Sequence, residues 1–562
     1  MASDLPLSVV SAEPSKSATT LSQLSAVPCA HTHVHSTWAR TFVCRPSLYL
    51  QPKSIDELVD IVNEARISRK TITVVGSGHS PSDITMVSPG GWIVNLDNLN
   101  SVLSFQPGPS SFDDPSKVVY TDVRVEAGIR VYELHAALAA KGLALQNLGS
   151  ISEQSVAGLI STGTHGSSAF HGPLAQQVVN ITLLTASGSL RTISPNEEPL
   201  LFRAALLSLG KLGIVTHLTF RVIPSFTIHS VQEIIDFDRL LQDWQSLWTS
   251  KEYVRVWWFP YSRKCVLWRA EKSDKSLSKP RFSFYGTWLG RKLYELMLWF
   301  AVKIYPPAMP SVERFVFNRQ YGSTQTYDTT GPALDEAVQN SVEGLNMDCL
   351  FRQFVNEWGV PLRDGIEILQ KIDDIVSAAS KKREYYVHAP IEVRVSNCSV
   401  PDPKLATTLS PLTIRDANNG VGAIPGNLVR PLLDYAPSIL PNPDFTKPVS
   451  VNDLTLYINA TMYRPFGLSP PIGQWYSEFE EIMANYSGRP HWAKNFIGPA
   501  GPELTAQEEK KPKADGQMVG IAGVFEKWYG DDGMLFKKLR QDLDPAGVFI
   551  GGKDWSVRNG IL

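Results

Sequence analysis

Thr71-Ile-Thr-Val-Val-Gly-Ser-Gly-His-Ser80 is the stretch on which the fold turns. Its first five residues are rich in β-branched side chains and read as a strand. The strand runs straight into a glycine loop. Glycines let a backbone turn sharply and come close to a ligand, and the exposed N–H groups of such a turn cradle anions. A Rossmann-type nicotinamide turn needs a third glycine, where this chain has Pro81. That proline falls inside the helix such a turn must open, so this kind of site is disfavoured. Upstream, Ser54–Ala65 reads as a helix opened by a capping box, with Ser54 as N-cap and Glu57 three residues on. Ile55, Leu58, Ile61 and Val62 form one apolar face. Ser47–Pro52 reads as a short strand before it. A β-α-β unit therefore ends in the glycine loop.

Working outward, Trp92–Leu96, Val118–Ala127 and Val179–Thr185 read as strands. Val131–Lys141 and Leu201–Leu209 read as helices, ended by Gly142 and Gly210. Residues 38–225 thus form an α+β domain, preceded by a loose tail over 1–37. After Pro224 the texture changes to strands rich in aromatics, such as Val254-Arg-Val-Trp-Trp-Phe259. A boundary near 225 separates a second domain, 226–562. Nine prolines in 401–448 predict a long irregular connection, and 498–518 a polar loop. The turn Leu543–Phe549 is expected to dock back on the core. The aromatics of Arg255–Pro260 are expected in the core, with Trp257 or Trp258 facing a pocket.

The chain has 562 residues, with 53 Lys+Arg against 55 Asp+Glu and a net charge of −2. That balance argues against nucleic-acid binding by phosphate neutralisation. The five cysteines show no CxxC spacing, so neither a disulfide framework nor a zinc site is expected. His31, His33 and His35 cluster without a nearby carboxylate, and no metal is expected there. No apolar run reaches the ~20 residues that a spanning helix needs. Residues 284–310 contain the short apolar run Leu296–Val302 between Glu295 and Lys303, with Arg291-Lys292 just before. They read either as an amphipathic helix at a membrane surface or as one packed on its own domain.

Further glycine loops follow at Glu126–Arg130, Gln146–Ser150 and Gly158–Gly166. So many within ninety residues point to one large phosphate-bearing ligand. In Ile391-Glu-Val-Arg-Val395 the alternation puts Glu392 and Arg394 on one strand face. They form either a structural ion pair or a site that orients a hydroxylated substrate and offsets negative charge. Arginine, permanently cationic, suits the second role. In Gly488-Arg-Pro-His-Trp-Ala-Lys494, His491 and Lys494 lie three apart and would share a face of one helical turn. Either could act as a general base.

Val74–Ser82, Val125–Ile129, Leu145–Gln154 and Ser161–Gly166 together resemble the FAD domain of the vanillyl-alcohol-oxidase superfamily, nearest its sugar-lactone oxidases. The resemblance covers roughly 38–555. It implies a two-domain, PCMH-type FAD fold of class α+β, in which an antiparallel-sheet cap closes over the flavin. It implies flavin contacts from Gly76, Ser77, Gly78, His79, Ser80, Gly128, Ser150, Ser155, Gly158, Ser161, Thr162, Gly163, His165, Gly166 and Ile214. It further implies a covalent 8α-methyl link to His79, whose neutral imidazole is a competent nucleophile. Glu392, Arg394, His491 and Lys494 take catalytic positions by the same resemblance. The related plant galactonolactone dehydrogenase has Ala in place of Gly149 and Leu in place of the linking His. This chain therefore resembles an oxidase, with room for oxygen beside the ring. The implied reaction oxidises an aldono-1,4-lactone at C2, and O2 is reduced to H2O2. The lactone is open among five- and six-carbon members. Alditol oxidation and a dehydrogenase with a protein acceptor stand as alternatives, and a non-catalytic scaffold has no need of this residue set. Family members sit at mitochondrial membranes, so a peripheral place on the outer membrane is expected.

Overall fold

The computed structural model describes residues 27–110, 118–347, 349–397, 412–437, 444, 446–498 and 518–562. Residues 1–26, parts of the expected proline-rich connection (401–411, 438–443 and 445) and the loop 499–517 lie outside the described residues.

One half of the expected capping box forms, with Glu57 N–H donating to Ser54 Oγ at 3.2 Å. The Glu57 carboxylate turns to Lys53 N–H, at 2.7 Å, rather than to that of the N-cap Ser54. The helix Ile55–Ile67 buries Leu58, Ile61, Val62 and Ala65. It connects Leu48–Leu50 to Ile72–Val75, and Trp92–Asn95 lies between these two strands, parallel to both. Residues 27–36 differ from the loose tail expected there. Cys29–Ala30 pairs antiparallel with the strand Leu48–Leu50, and His35–Ser36 with Val43–Cys44. His33 stacks on Tyr49 at 3.7 Å, and His35 Nε2 meets Thr85 Oγ1 at 3.3 Å. These imidazoles find partners within the fold, which holds the segment down.

A second, antiparallel sheet runs in the order Leu190–Ile193, Val178–Leu184, Ile214–Pro224, Thr121–Glu126, Val102–Pro107. The helices Val131–Ala139 and Pro199–Ala205 are close to their sequence positions. Gly142 and Gly210 take positive φ just beyond them, the left-handed turn that ends a helix cheaply only at glycine.

The chain leaves this sheet at Pro224 and enters a third at Thr227. Its eight strands are antiparallel, in the order Asp335–Asn340, Thr227–Asp236, Lys264–Ser273, Tyr253–Phe259, Ile391–Ser396, Thr455–Tyr463, Gln353–Pro361, Arg489–Pro490. The helix Gly365–Lys382 buries Ile368, Leu369, Ile372, Val376 and Ala379, one stripe at helical spacing. With the helix Gly473–Asn485 it covers one face of the sheet over Trp244, Trp358 and Phe479. The opposite face looks towards the first domain.

Two segments cross back. Gln146 and Ile424 exchange two bonds, Ile424 N–H to Gln146 Oε1 at 2.7 Å and Gln146 Nε2 to Ile424 O at 2.8 Å. At the C-terminus, buried Asp544 accepts from Val548 N–H and Phe549 N–H at 2.7 Å each. Ile72 N–H donates to Val548 O at 2.6 Å, so this turn extends the edge of the first sheet. Phe549, Trp555 and Ile561 are buried in the first domain's core.

Candidate active site

Two cavities meet at the glycine loop. The first is lined by Gly76, Ser77, Gly78, His79 and Ser80, and by Ser155, Gly158, Ser161, Thr162 and Ile214 from the facing elements. Thr73, Ser208 and Lys211 also line it, and no carboxylate does. Close approach explains the glycines. A Cβ on Gly76 would lie 2.4 Å from Ser155 Oγ, and Gly78 sits at φ +73°. Arg130 Nη1, 3.0 Å from that same Cβ position, is buried without a partner. Arg130 stands behind the loop, its Nη2 paired with Asp97 and its Nη1 free. A glycine turn with facing serines suits an anionic pyrophosphate, so the residues fit a dinucleotide such as FAD.

The second cavity is larger, about 550 Å³. His79 lines both cavities, and Ser150, Arg255, Trp257, Glu392, Arg394, Asn459, Thr461 and Lys494 line the second. His79 is thus placed at the junction. Burial lowers its pKa, with Glu153 opposing and Arg130 reinforcing, so the ring is neutral near pH 7. Its Nδ1 is buried with no hydrogen-bond partner, and Trp38 stacks on the ring at 5.7 Å.

Strand register assembles the floor of the second cavity. Trp257 pairs with Glu392, Glu392 with Asn459, and Asn459 with Glu357. The next row on the same face is Arg255, Arg394, Tyr457 and Gly359. Glu392 and Arg394 therefore share a face, as the alternation requires. Their closest polar atoms are 3.5 Å apart. Trp257 faces the cavity, whereas Trp258 is fully buried against Phe237 at 4.6 Å.

Lys494 lies in a turn closed by its N–H on His491 O at 3.0 Å, not in a helix, because Arg489–Pro490 is still strand. The turn separates the pair: Lys494 reaches the cavity, while His491 is buried against Tyr435 and lines neither cavity. Burial holds His491 well below the ordinary imidazole range, with Lys494 and His165 adding to the effect and Glu357 opposing it. His491 is therefore neutral, and its Nδ1 accepts from Ala493 N–H at 3.2 Å.

Several expected contacts lie off both cavities. A Cβ on Gly128 would lie 1.8 Å from Leu96 O, and one on Gly166 2.0 Å from Asn147 Oδ1. Gly163 takes φ +79° beside Tyr435. All three permit close packing and line neither cavity. Gly149 is also buried away from both. A Cβ there would meet the Thr164 methyl at 2.8 Å, so an alanine would press on Thr164 before it narrowed the cavity. His165 is fully buried, stacked on Tyr457 at 3.6 Å.

His165 leads to the residue that motif reading missed. Glu357 lies at the centre of a buried network. Its carboxylate meets His165 Nε2 at 2.9 Å, Arg394 Nη2 at 3.2 Å and Lys494 Nζ at 3.2 Å. Burial alone would push its pKa up, but Lys494, His165 and Arg394 together hold the carboxyl well below the usual range. The signal was a charge within the apolar strand Gln353–Pro361, because a buried carboxylate requires cations around it. Arg255 was missed as well. Its guanidinium sits on Trp268 at 5.1 Å, with Nε 3.9 Å from Glu392 Oε1. Burial lowers its pKa to about 10, still cationic at neutral pH. His165, Glu357 and His491 bring ligand-type atoms within 4.8 Å of one another. Two cations already occupy the shared carboxylate, so the cluster is an ion-pair network and a poor metal site.

Comparison with known proteins agrees with this geometry. Solved structures of a solvent-stable cholesterol oxidase and of cholesterol oxidase from B. sterolicum superimpose with TM-scores of 0.67. They cover 93% and 99% of this chain, and 96% and 99% of their own, at 16% and 14% identity. A family model described as FAD binding domain matches residues 46–194. The class is therefore a PCMH-type, FAD-binding α+β protein. A second family model, D-arabinono-1,4-lactone oxidase, matches residues 218–559. The D-arabinono-1,4-lactone oxidase of Yarrowia lipolytica is 55% identical over 94% of this chain and 98% of its own length. Those of Candida albicans and Saccharomyces cerevisiae are 48% and 45% identical over 94% and 96% of this chain, and 97% and 99% of their own. The chain belongs to the D-arabinono-1,4-lactone oxidase family.

Proposed function

We propose that this protein is an FAD-dependent oxidase that converts D-arabinono-1,4-lactone to its dehydro product, with O2 reduced to H2O2. The observation that carries the reading is the convergence of His79, Glu392, Arg394 and Lys494 on one cavity that shares His79 with the glycine-loop cavity. FAD, once bound, supplies the two-electron acceptor. Gly76–Ser80, Ser155 and Ser161 hold its diphosphate, and His79 offers a neutral, unpartnered nitrogen for a bond to the 8α-methyl carbon. Glu392 accepts hydrogen bonds from lactone hydroxyls through Oε1, which has no hydrogen-bond partner within the protein. Arg394 and Lys494 donate to lactone oxygens and offset negative charge that develops there. Because Arg394 is pinned to both Glu357 and Glu392, it is preorganised for that task.

The test is a visible spectrum before and after acid precipitation, followed by oxygen uptake with D-arabinono-1,4-lactone. Yellow colour that stays in the pellet, with peroxide formed, supports the reading. Yellow protein that is reduced by lactone but ignores oxygen replaces it with a dehydrogenase.

Peripheral membrane attachment, at the mitochondrial outer membrane, is a second part of the proposal. The helix Trp288–Lys303 buries Gly290, Tyr294, Leu298 and Ala301, yet leaves Trp288, Leu289, Leu293, Leu296 and Phe300 exposed. An apolar face on a helix that also carries Arg291 and Lys303, with Lys292 paired to Glu295 at 2.7 Å, suits an anionic lipid interface. Among the described residues no helix is long and apolar enough to cross a membrane. Co-flotation with anionic vesicles, lost in a Leu293→Glu/Leu296→Glu variant, is the expected result. Equal flotation of both proteins refutes it.

A further inference from the structure

An alternating chain of charges runs along and behind the cavity floor. Arg255 is 3.9 Å from Glu392, Glu392 is 3.5 Å from Arg394, Arg394 is 3.2 Å from Glu357, and Glu357 is 3.2 Å from Lys494. All but Lys494 are nearly inaccessible to solvent, and Lys494 is 21% exposed. Within this chain of charges three cations face two carboxylates, so it carries one positive charge more than it offsets; Arg281, Asp335 and Glu343 line the same cavity outside it. Glu357 does not line that cavity; it stands behind Arg394 and Lys494, held by His165.

We propose that Glu357 is a positioning residue that sets both the orientation and the net charge of the Arg394–Lys494 pair facing the second cavity. Two cations that share one buried carboxylate are held at fixed separation, which isolated side chains of their length would not keep. The same carboxylate offsets part of their field. Low surrounding polarity makes that offset large, because buried charges are little screened. Asp cannot replace it, since a shorter arm does not reach Arg394, Lys494 and His165 together.

The inference rests on the reading of these cavities as the flavin and lactone site, and sulfite tests it independently of lactone turnover. Sulfite forms a sulfur–nitrogen bond with a bound flavin and delivers its electron pair to the ring, which becomes anionic and loses its visible band. The affinity for sulfite thus reports the positive field at the ring. In the holoenzyme, Glu357→Gln should lower the sulfite dissociation constant about tenfold and Lys494→Met should raise it about tenfold, while the double variant returns to within about threefold of wild type. Glu357→Asp keeps the charge. It should keep the sulfite constant and raise the lactone KM about tenfold. An unchanged constant in Glu357→Gln would overturn the charge role, and an unchanged KM in Glu357→Asp the positioning role. Should Glu357→Gln not fold, Glu357→Asn removes the same charge and is read by the same sulfite constant, and Glu357→Asp still decides the positioning role. A colourless wild-type protein would overturn the inference together with the reading beneath it. Yellow protein that binds sulfite but ignores lactone would overturn the lactone reading alone.

Discussion

At His79 three properties coincide: a place on both cavities, a buried Nδ1 without a partner, and a pKa lowered by burial. A His79→Ala variant is expected to lose its colour on acid precipitation, which separates flavin from pellet only where no covalent bond holds it. Arg394 makes a different demand. Its guanidinium spans Ser150 Oγ at 3.2 Å and both Glu357 and Glu392. A lysine brings one point charge and cannot serve three partners. Arg394→Lys should therefore lower kcat/KM roughly 100-fold with flavin content unchanged, measured by oxygen uptake per bound flavin. Residue identity was legible for both side chains because their motifs are local.

The helix Met309–Gln320 carries Glu313, which is 4% exposed. Glu313 Oε1 accepts from Ser262 N–H at 2.8 Å, while Oε2 has no hydrogen-bond partner. Burial raises its pKa to about 7, against the opposing bond from Ser262. The folded chain therefore keeps this proton up to about pH 7, whereas the unfolded chain releases it near pH 4.5. Stability falls as pH rises through that window and levels off above it, by about 3 kcal/mol at full ionisation. Glu313→Gln keeps the acceptor oxygen and removes the charge. Its melting temperature should exceed wild type by several degrees at pH 8 and match it at pH 4, read by thermal unfolding at both pH values.

The whole molecule is tied together from its C-terminal end. Lys211, buried and lining the cofactor cavity, donates from Nζ to Gly551 O at 2.5 Å and lies 5.8 Å from the Trp555 ring. Arg558 bonds both oxygens of Asp83 at 2.7 and 2.8 Å, next to the cavity-lining Ile84 and Thr85. The last fifteen residues thus brace the cavity that begins near residue 73. Trp555→Ala should cost about 3–5 kcal/mol, as large buried truncations do. Because the strap and the cavity wall are one packed body, flavin fluorescence should rise at the same lowered temperature at which the fold melts, not before it.

Local periodicity and turn chemistry determined much of this protein by themselves. The capped helix at 55–67, the strand at 72–75, its glycine loop and the shared face of Glu392 and Arg394 all follow from residues near in the chain, where spacing alone sets direction. Only the tertiary structure decided which glycines line a ligand cavity and which merely admit a neighbour. That depends on what stands opposite, such as Thr164 over Gly149 or Leu96 over Gly128. It also decided that His491 turns into the core while Lys494 reaches the cavity. Glu357 shows the reason most plainly. Its partners, His165, Arg394 and Lys494, come from three distant parts of the chain. A buried carboxylate signals that cations must surround it, but which ones arrive is settled by strand order and register.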